Sequence, residues 1–276
     1  MRVEVEPGVV LEVFDDPGVR GADAPTLVML HGFGGSPLDF EDHIEALTQT
    51  HRVVRFFQRG HGPSGRPIEP EAYTLDRLAA DVLAVVDALT LDVFTLFGWS
   101  MGGMVARRVV LGAPERVDRL ILQDTTPGPV PGYERSLVDI GAAVARNEGM
   151  RALKALLDSV QPLTTPAYDA LVASRPGYRE YVDGRFWTMT PEAFAGLAEE
   201  LASQPDETDR LRTVAVPTLV IVGSLDTAFI PGCESIAGAI PGARLAVIED
   251  AGHAPQFEMP DAWRSVMVDF LASQAD

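Results

Sequence analysis

The 276-residue chain has a single cysteine, Cys233, so no disulfide can form within it. Basic residues are scarce as well: 22 Lys and Arg stand against 40 Asp and Glu, a formal charge of −18. Such a surface repels phosphate backbones and anionic lipid, which excludes nucleic acid and membranes as expected partners. The opening MRVEVEPGVV lacks the basic start and apolar core of a secretion signal, and no apolar run is long enough to span a bilayer. The cytoplasm is therefore the expected compartment. No internal repeat or low-complexity segment stands out. Histidine is rare too, with five in all, which leaves few candidates for any proton-transfer role.

Apolar residues make up 46% of the chain and charged ones 22%, the balance of an ordinary soluble globular protein. Four short apolar runs read as strands covered on both faces: Thr26 to Leu30, Arg52 to Phe57, Val93 to Phe97 and Arg119 to Gln123. Between the second and third, Leu75, Leu78, Val82, Val85, Val86 and Leu89 recur at helical spacing, with Thr74 as the cap. Strand, helix, strand predicts a parallel sheet with right-handed crossovers. The pattern resumes at Thr218 to Val222, followed by a helix over about 231–240, a strand from Arg244 to Ile248 and a last helix over about 260–271. Ahead of them, Arg2 to Val5 and Val9 to Val13 alternate as an antiparallel hairpin at the sheet edge would.

The stretch 126–209 differs, because it has no strand-like run and opens on a Pro- and Gly-rich connection, Pro127 to Gly132. It reads as a helical lid inserted into a core formed by 1–125 and 210–276. Its clearest helix begins at Thr190-Pro191, a cap followed by proline at the first helical position, with Phe194, Leu197, Ala198 and Leu201 on one face.

Chemistry concentrates at four places. After the strand ending at Phe97 comes Gly98-Trp-Ser100-Met-Gly102, a G-x-S-x-G turn between a strand and a helix, where a serine nucleophile is exposed. His31 to Ser36 (HGFGGS) follows the strand ending at Leu30, where the second oxyanion-binding amide is supplied; the N–H groups of Phe33 and Met101 are the expected pair. His31 itself is expected to brace that loop. Gly223-Ser-Leu-Asp226 puts an acid just past a strand end, and His253 lies in the loop before the last helix. The chain order Ser, Asp, His matches a triad with Ser100 as nucleophile, His253 as base and Asp226 as the orienting acid. Asp124, also past a strand end, is the alternative acid.

These elements, HGFGG, RGHGPS, GWSMGG, GSLD and AGHAPQFE, resemble those of the α/β-hydrolase superfamily over essentially the whole chain. Within it the likeness is greatest to bacterial small-molecule enzymes: enol-lactonases, carboxylesterases, cofactor-free perhydrolases and carbon–carbon bond hydrolases. Gln58 departs from the aspartate common before the Arg-Gly-x-Gly-x-Ser element, which implies altered loop hydrogen bonding. Gly34-Gly35 departs from the proline found in the oxyanion loop of carbon–carbon hydrolases, and Ser100 from the aspartate of epoxide hydrolases and haloalkane dehalogenases. The resemblance implies an α/β-hydrolase fold and hydrolysis of a small-molecule ester or lactone through an acyl-enzyme. Neither cofactor nor metal is expected. Trp99, Phe186, Trp187, Phe194, Leu225 and Phe229 are the expected pocket walls. A carbon–carbon hydrolase, a lyase or synthase, and a non-catalytic receptor remain the alternatives on the same fold, and monomer or homo-oligomer is left open.

Overall fold

The computed structural model describes residues 1–160 and 165–273. Residues 161–164, inside the segment assigned to the lid, and 274–276 lie outside the described residues. Eight strands form one sheet: β1 (Arg2–Glu6), β2 (Val9–Asp16), β3 (Thr26–Leu30), β4 (Arg52–Phe56), β5 (Phe94–Trp99), β6 (Val117–Gln123), β7 (Thr218–Gly223) and β8 (Arg244–Ile248), in the order β1-β2-β4-β3-β5-β6-β7-β8. The expected hairpin is the edge: β1 pairs antiparallel with β2, and β2 antiparallel with β4. From β4 to β8 every pairing is parallel.

Alternate residues of the central strands feed two cores, as a pleated strand covered on both sides requires. In β3, Val28 and Leu30 join one core while Leu27 and Met29 join the other. The helices in the first half of the chain are α1 (Ile44–Leu47), α2 (Leu75–Ala88) and α3 (Met101–Gly112). Helix α2 starts where its cap predicts, with Thr74 Oγ1 accepting the Arg77 N–H, and buries Leu75, Leu78, Val82, Val85 and Val86 on the Val28 side.

Between β6 and β7 the described residues hold helices and no strand: α4 (Arg135–Glu148), α5 (Met150–Val160), α6 (Pro166–Ser174), α7 (Tyr178–Trp187), α8 (Pro191–Ser203) and α9 (Thr208–Leu211). Helix α8 begins at its Thr190 cap and buries Phe194, Leu197, Ala198 and Leu201 along one face. It packs on α4, and α4 on α5. The short α9 packs instead on α10 (Ile230–Ala239), so the 209 boundary read from the sequence cuts a helix that belongs with the sheet. The chain closes with α11 (Pro255–Glu258) and α12 (Pro260–Ala272), whose Trp263, Met267 and Phe270 fill the core on the Leu27 side.

Arg107 ties both ends of the insertion to α3. Its guanidinium, buried and paired with Glu207 at 2.5 Å, donates to the Pro127 carbonyl at 2.6 Å and to Gln204 Oε1 at 2.8 Å. Pro127 lies where the insertion leaves β6, and Gln204 and Glu207 lie where it returns.

Candidate active site

Parallel order brings the C-terminal ends of β3, β5, β6, β7 and β8 to one edge, where open α/β sheets build their sites. Ser100 sits between β5 and α3 at φ 56°, a left-handed conformation that a non-glycine residue adopts at a cost. The tightness of that turn explains Gly98. A Cβ there would fall on the Gly102 carbonyl, so only glycine lets the strand and helix approach this closely. The Ser100 N–H donates to the Gln123 carbonyl, and Thr125 Oγ1 to the Ser100 carbonyl, each at 2.8 Å.

His253 Nε2 lies 3.0 Å from Ser100 Oγ, and its Nδ1 lies 2.7 Å from Asp226 Oδ2. A carboxylate only accepts, so the ring proton sits on Nδ1 and the Nε2 lone pair faces the serine hydroxyl. Asp226 is nearly buried, while the His253 side chain is 34% exposed, open enough for a substrate to reach it. The loop around His253 is held from several sides. The Trp99 indole N–H donates to the His253 carbonyl at 2.7 Å, Glu258 accepts the Gly252 N–H, and the Phe229 ring lies 4.6 Å from the imidazole. Gly223 permits the approach of the two loops, because a Cβ there would collide with the Gly252 and Ala251 carbonyls.

The N–H groups of Phe33 and Met101 have no acceptor among the described residues, whereas their neighbours do: Gly34 N–H donates to His61 Nε2 at 3.1 Å, Gly35 N–H to the Gly32 carbonyl at 3.0 Å and Gly103 N–H to the Ser100 carbonyl at 2.9 Å. Gly32 packs directly on Ser100, its missing Cβ position 3.2 Å from the Ser100 Cβ, so the Phe33 amide is next to the serine. Free amides flanking a candidate nucleophile are what a developing oxyanion requires.

Two buried histidines support this loop. His31 donates from Nδ1 to the Gly32 carbonyl at 2.8 Å and accepts the Gln58 N–H on Nε2 at 3.1 Å. Burial, assisted by the Arg185 charge, pushes it down to about 4, so it is neutral at pH 7. His61 donates from Nδ1 to the Arg59 carbonyl at 3.1 Å, which leaves Nε2 to accept from Gly34. Burial first and then the neighbouring His31 push it down to about 3. Gln58 donates to the His31 carbonyl at 2.7 Å, and its Oε1 is a buried acceptor with no partner among the described residues. The loop bonding thus does differ from what a carboxylate would make there.

The expected walls separate into groups. Trp99, Leu225 and Phe229 surround His253, with the Leu225 N–H donating to the Ala251 carbonyl at 2.8 Å. Phe194 packs 5.5 Å from Phe33, and Phe186, edge-on to Phe194, covers Gly34. Trp187 does not join them. Successive helical residues are rotated by about 100°, and α7 uses Arg185 and Phe186 toward the core, which turns Trp187 away. It lies under the Arg151 guanidinium, 3.9 Å away, in a separate cleft of about 520 Å³ lined also by Arg66, Glu148 and Met189.

Sequence reading missed Arg185, Asp39, His61 and Glu258. Arg185 lies half-buried over the Trp99 ring at 5.4 Å and pairs with Asp39, which also accepts from Tyr181 at 2.6 Å and from the Ser36 N–H at 3.0 Å. No local signal marks Arg185; His61 and Glu258 lay within the quoted RGHGPS and AGHAPQFE elements. Asp124, Asp226 and His253 each offer an atom within 4.8 Å of the others, a spacing that also suits a cation. Both His253 nitrogens are already engaged by Ser100 and Asp226, which makes the cluster a hydrogen-bonded chain.

Comparison with known proteins agrees with this architecture. A Bacillus subtilis (strain 168) protein provisionally named 2-succinyl-6-hydroxy-2,4-cyclohexadiene-1-carboxylate synthase is 29% identical, the match covering 99% of this chain and 98% of that one. The crystal structure of the enol-lactonase from Burkholderia xenovorans LB400 superposes with TM-score 0.86 at 29% identity, over 98% of this chain and all of that one. A thermophilic esterase from Thermogutta terrifontis superposes with TM-score 0.85 at 27% identity, over 98% and 97%. The family model described as alpha/beta hydrolase fold matches residues 25–260, and with the parallel sheet and the serine turn this makes the chain a member of the α/β-hydrolase family.

Proposed function

We propose that this protein is a serine hydrolase that cleaves a small-molecule ester or lactone through an acyl-enzyme on Ser100. The observation that carries the proposal is the unbroken chain Ser100 Oγ, His253 Nε2, His253 Nδ1, Asp226 Oδ2, at 3.0 and 2.7 Å, beside two amides without acceptors among the described residues. Ser100 Oγ attacks the carbonyl carbon as its proton passes to His253 Nε2. Asp226 keeps the other ring proton on Nδ1 and stabilises the imidazolium. The oxyanion forms between the Phe33 and Met101 N–H groups, each such donor being worth on the order of 10² to 10³ in rate. Collapse expels the alcohol, which takes the proton back from His253; in a lactone it stays tethered to the acyl group. Water then repeats the sequence and frees the acid.

The insertion ahead of α9 serves as the lid, with Phe186 and Phe194 roofing the oxyanion loop and Trp99 and Phe229 flanking the base. Those apolar walls favour a medium-sized ester or lactone over a sugar or peptide. The likeness to the enol-lactonase and the esterase supports this chemistry. The Bacillus subtilis relative, named as a synthase, supports a second reading, in which the same three side chains act as a base without an acyl-enzyme.

A panel of short-chain esters, lactones and ring-cleavage diketones, read with intact-mass spectrometry during turnover, tests both. The hydrolase reading expects an acyl adduct on Ser100 and loss of essentially all turnover in Ser100→Ala, with the fold kept. Asp226→Asn should lower turnover by roughly 10⁴ through the wrong histidine tautomer. Turnover without any adduct, under conditions that trap one in a control esterase, favours the second reading.

A further inference from the structure

Asp124 is buried at the end of β6, beside the end of β7 that leads to Asp226. Its N–H donates to the Ile221 carbonyl at 2.9 Å, and its Oδ1 accepts the Gly223 N–H at 3.0 Å. Its Oδ2 is buried with no partner of the ordinary donor-to-acceptor kind among the described residues. The residue is held at φ 44°, a left-handed conformation that Asp tolerates better than most. The groups facing it are Asp226 from the β7–α10 loop, Cys233 from α10, His253 from the β8–α11 loop and Glu258 from α11. Among these only His253 can carry positive charge, and its Nδ1–H already serves Asp226.

Two carboxylates this close, one without any solvent exposure, cannot both be ionised. Asp226 is the one that receives the His253 proton donor, so the negative charge belongs there. An oxygen to which nothing donates is where the remaining proton sits. We infer that Asp124 is a positioning residue for the Ser100 site, a neutral carboxylic acid whose Oδ2–H donates to the Asp226 carboxylate and so fixes the acid that orients His253. Burial, and next the Asp226 charge, hold the Asp124 carboxyl well above the usual range, in agreement with this geometry. The site is then a chain of four side chains in which only one acid is charged. The donated bond pins the Asp226 carboxylate and draws off part of its basicity, so that the Nδ1 proton stays on the imidazole.

The inference rests on the proposed triad, and its test reads the pair without turnover as well as with it. Wild type, Asp124→Asn and Asp124→Ala are compared by nitrogen-detected NMR titration of His253, by the pH profile of ester hydrolysis and by thermal melting from pH 4 to 8. Asparagine preserves an acceptor for Gly223 and supplies an N–H for Asp226, so it should rescue: titration midpoint unchanged within about 0.3 unit and kcat within about threefold. Alanine removes the donor, and the His253 midpoint should rise by about half a unit or more while kcat falls roughly 10-fold with little change in KM. A purely structural role would lower stability in both variants and leave the midpoint in place.

Melting supplies a check should the alanine variant fail to fold. A carboxyl whose folded value is raised contributes stability below its unfolded value, about 3.9, and loses it as pH rises. Asp124→Asn has no proton to retain, so its melting temperature relative to wild type should climb from pH 4 to pH 8. A relative melting temperature that falls over that range, or an Asp124→Asn midpoint that drops as Asp226→Asn would make it drop, means Asp124 is the charged acid and overturns the inference. If no ester or lactone is hydrolysed but the titration and melting results hold, the function fails and the acid pair stands.

Discussion

His61 offers a quantitative test of how the oxyanion loop is held. Its Nε2 accepts the Gly34 N–H only while unprotonated, and burial keeps it so by pushing it down to about 3 from an ordinary 6.5. The linkage has a definite sign. A histidine whose folded value is depressed leaves stability whole above the unfolded value, about 6.5, because neither state is then protonated. As pH falls below that, the unfolded chain takes a proton that the folded one refuses, and stability declines until the folded value is reached. At about 1.36 kcal/mol per unit, moving to pH 5 removes roughly 2 kcal/mol through His61. His31, held at about 4, behaves alike and removes a similar amount. Against a total of about 5–15 kcal/mol the pair is a large share.

Replacing His61 with Gln isolates the effect, since the glutamine amide oxygen can accept the Gly34 N–H but does not titrate. Urea unfolding at pH 7.5 and pH 5.0 should show wild type losing about 2 kcal/mol more than His61→Gln over that interval. Carboxylates and the other histidines contribute equally to both proteins and cancel in the difference. Equal losses within about 0.5 kcal/mol, the error scale of such extrapolations, would refute the reasoning, as would a His61 resonance that titrates between pH 6 and 7.

Phe186→Ala and Phe194→Ala should each change relative rates across a series of ester chain lengths, because both rings roof the oxyanion loop, whereas Trp187→Ala should leave the ranking as it is. Uniform losses for all substrates, or a Trp187 effect on selectivity, would contradict the placement of α7. Arg107→Met should destabilise by about 1–3 kcal/mol, since it takes the donor away from Glu207 Oε2, the Pro127 carbonyl and Gln204 Oε1, while Arg210 still pairs with Glu207 Oε1. Denaturant unfolding of that variant beside Arg107→Met/Glu207→Leu measures it: the double variant should recover much of the loss, and equal loss in both would mean that the pair is not what joins the insertion to α3.

Much of this architecture was legible because it follows from short-range rules. The apolar runs of β3 to β6, the Thr74 and Thr190 caps and the glycine-bounded serine turn each predict a local structure from neighbouring residues alone, and each is found within a residue or two. The 209 boundary falls inside α9 for a related reason. Composition marks where strand-like runs stop, but α9 is only four residues long, and whether it packs with the insertion or on α10 depends on tertiary contact.

The site divides along the same line. Ser100, Asp226 and His253 could be named because each follows a strand in a parallel sheet, and topology alone gathers strand ends. Trp187 was named beside Phe186 as an aromatic residue of the insertion; in a helix adjacent side chains diverge, and only the direction of the helix face decides which one meets the core. Protonation was beyond reach altogether. His31, His61 and Asp124 are neutral because of what surrounds them in three dimensions, and nothing beside them in the chain distinguishes them from charged residues of the same type. The consequence is geometric: with Asp124 and both loop histidines uncharged, the Asp226 carboxylate is the charge aligned with His253 through Nδ1, and the Nε2 lone pair is left facing the Ser100 hydroxyl.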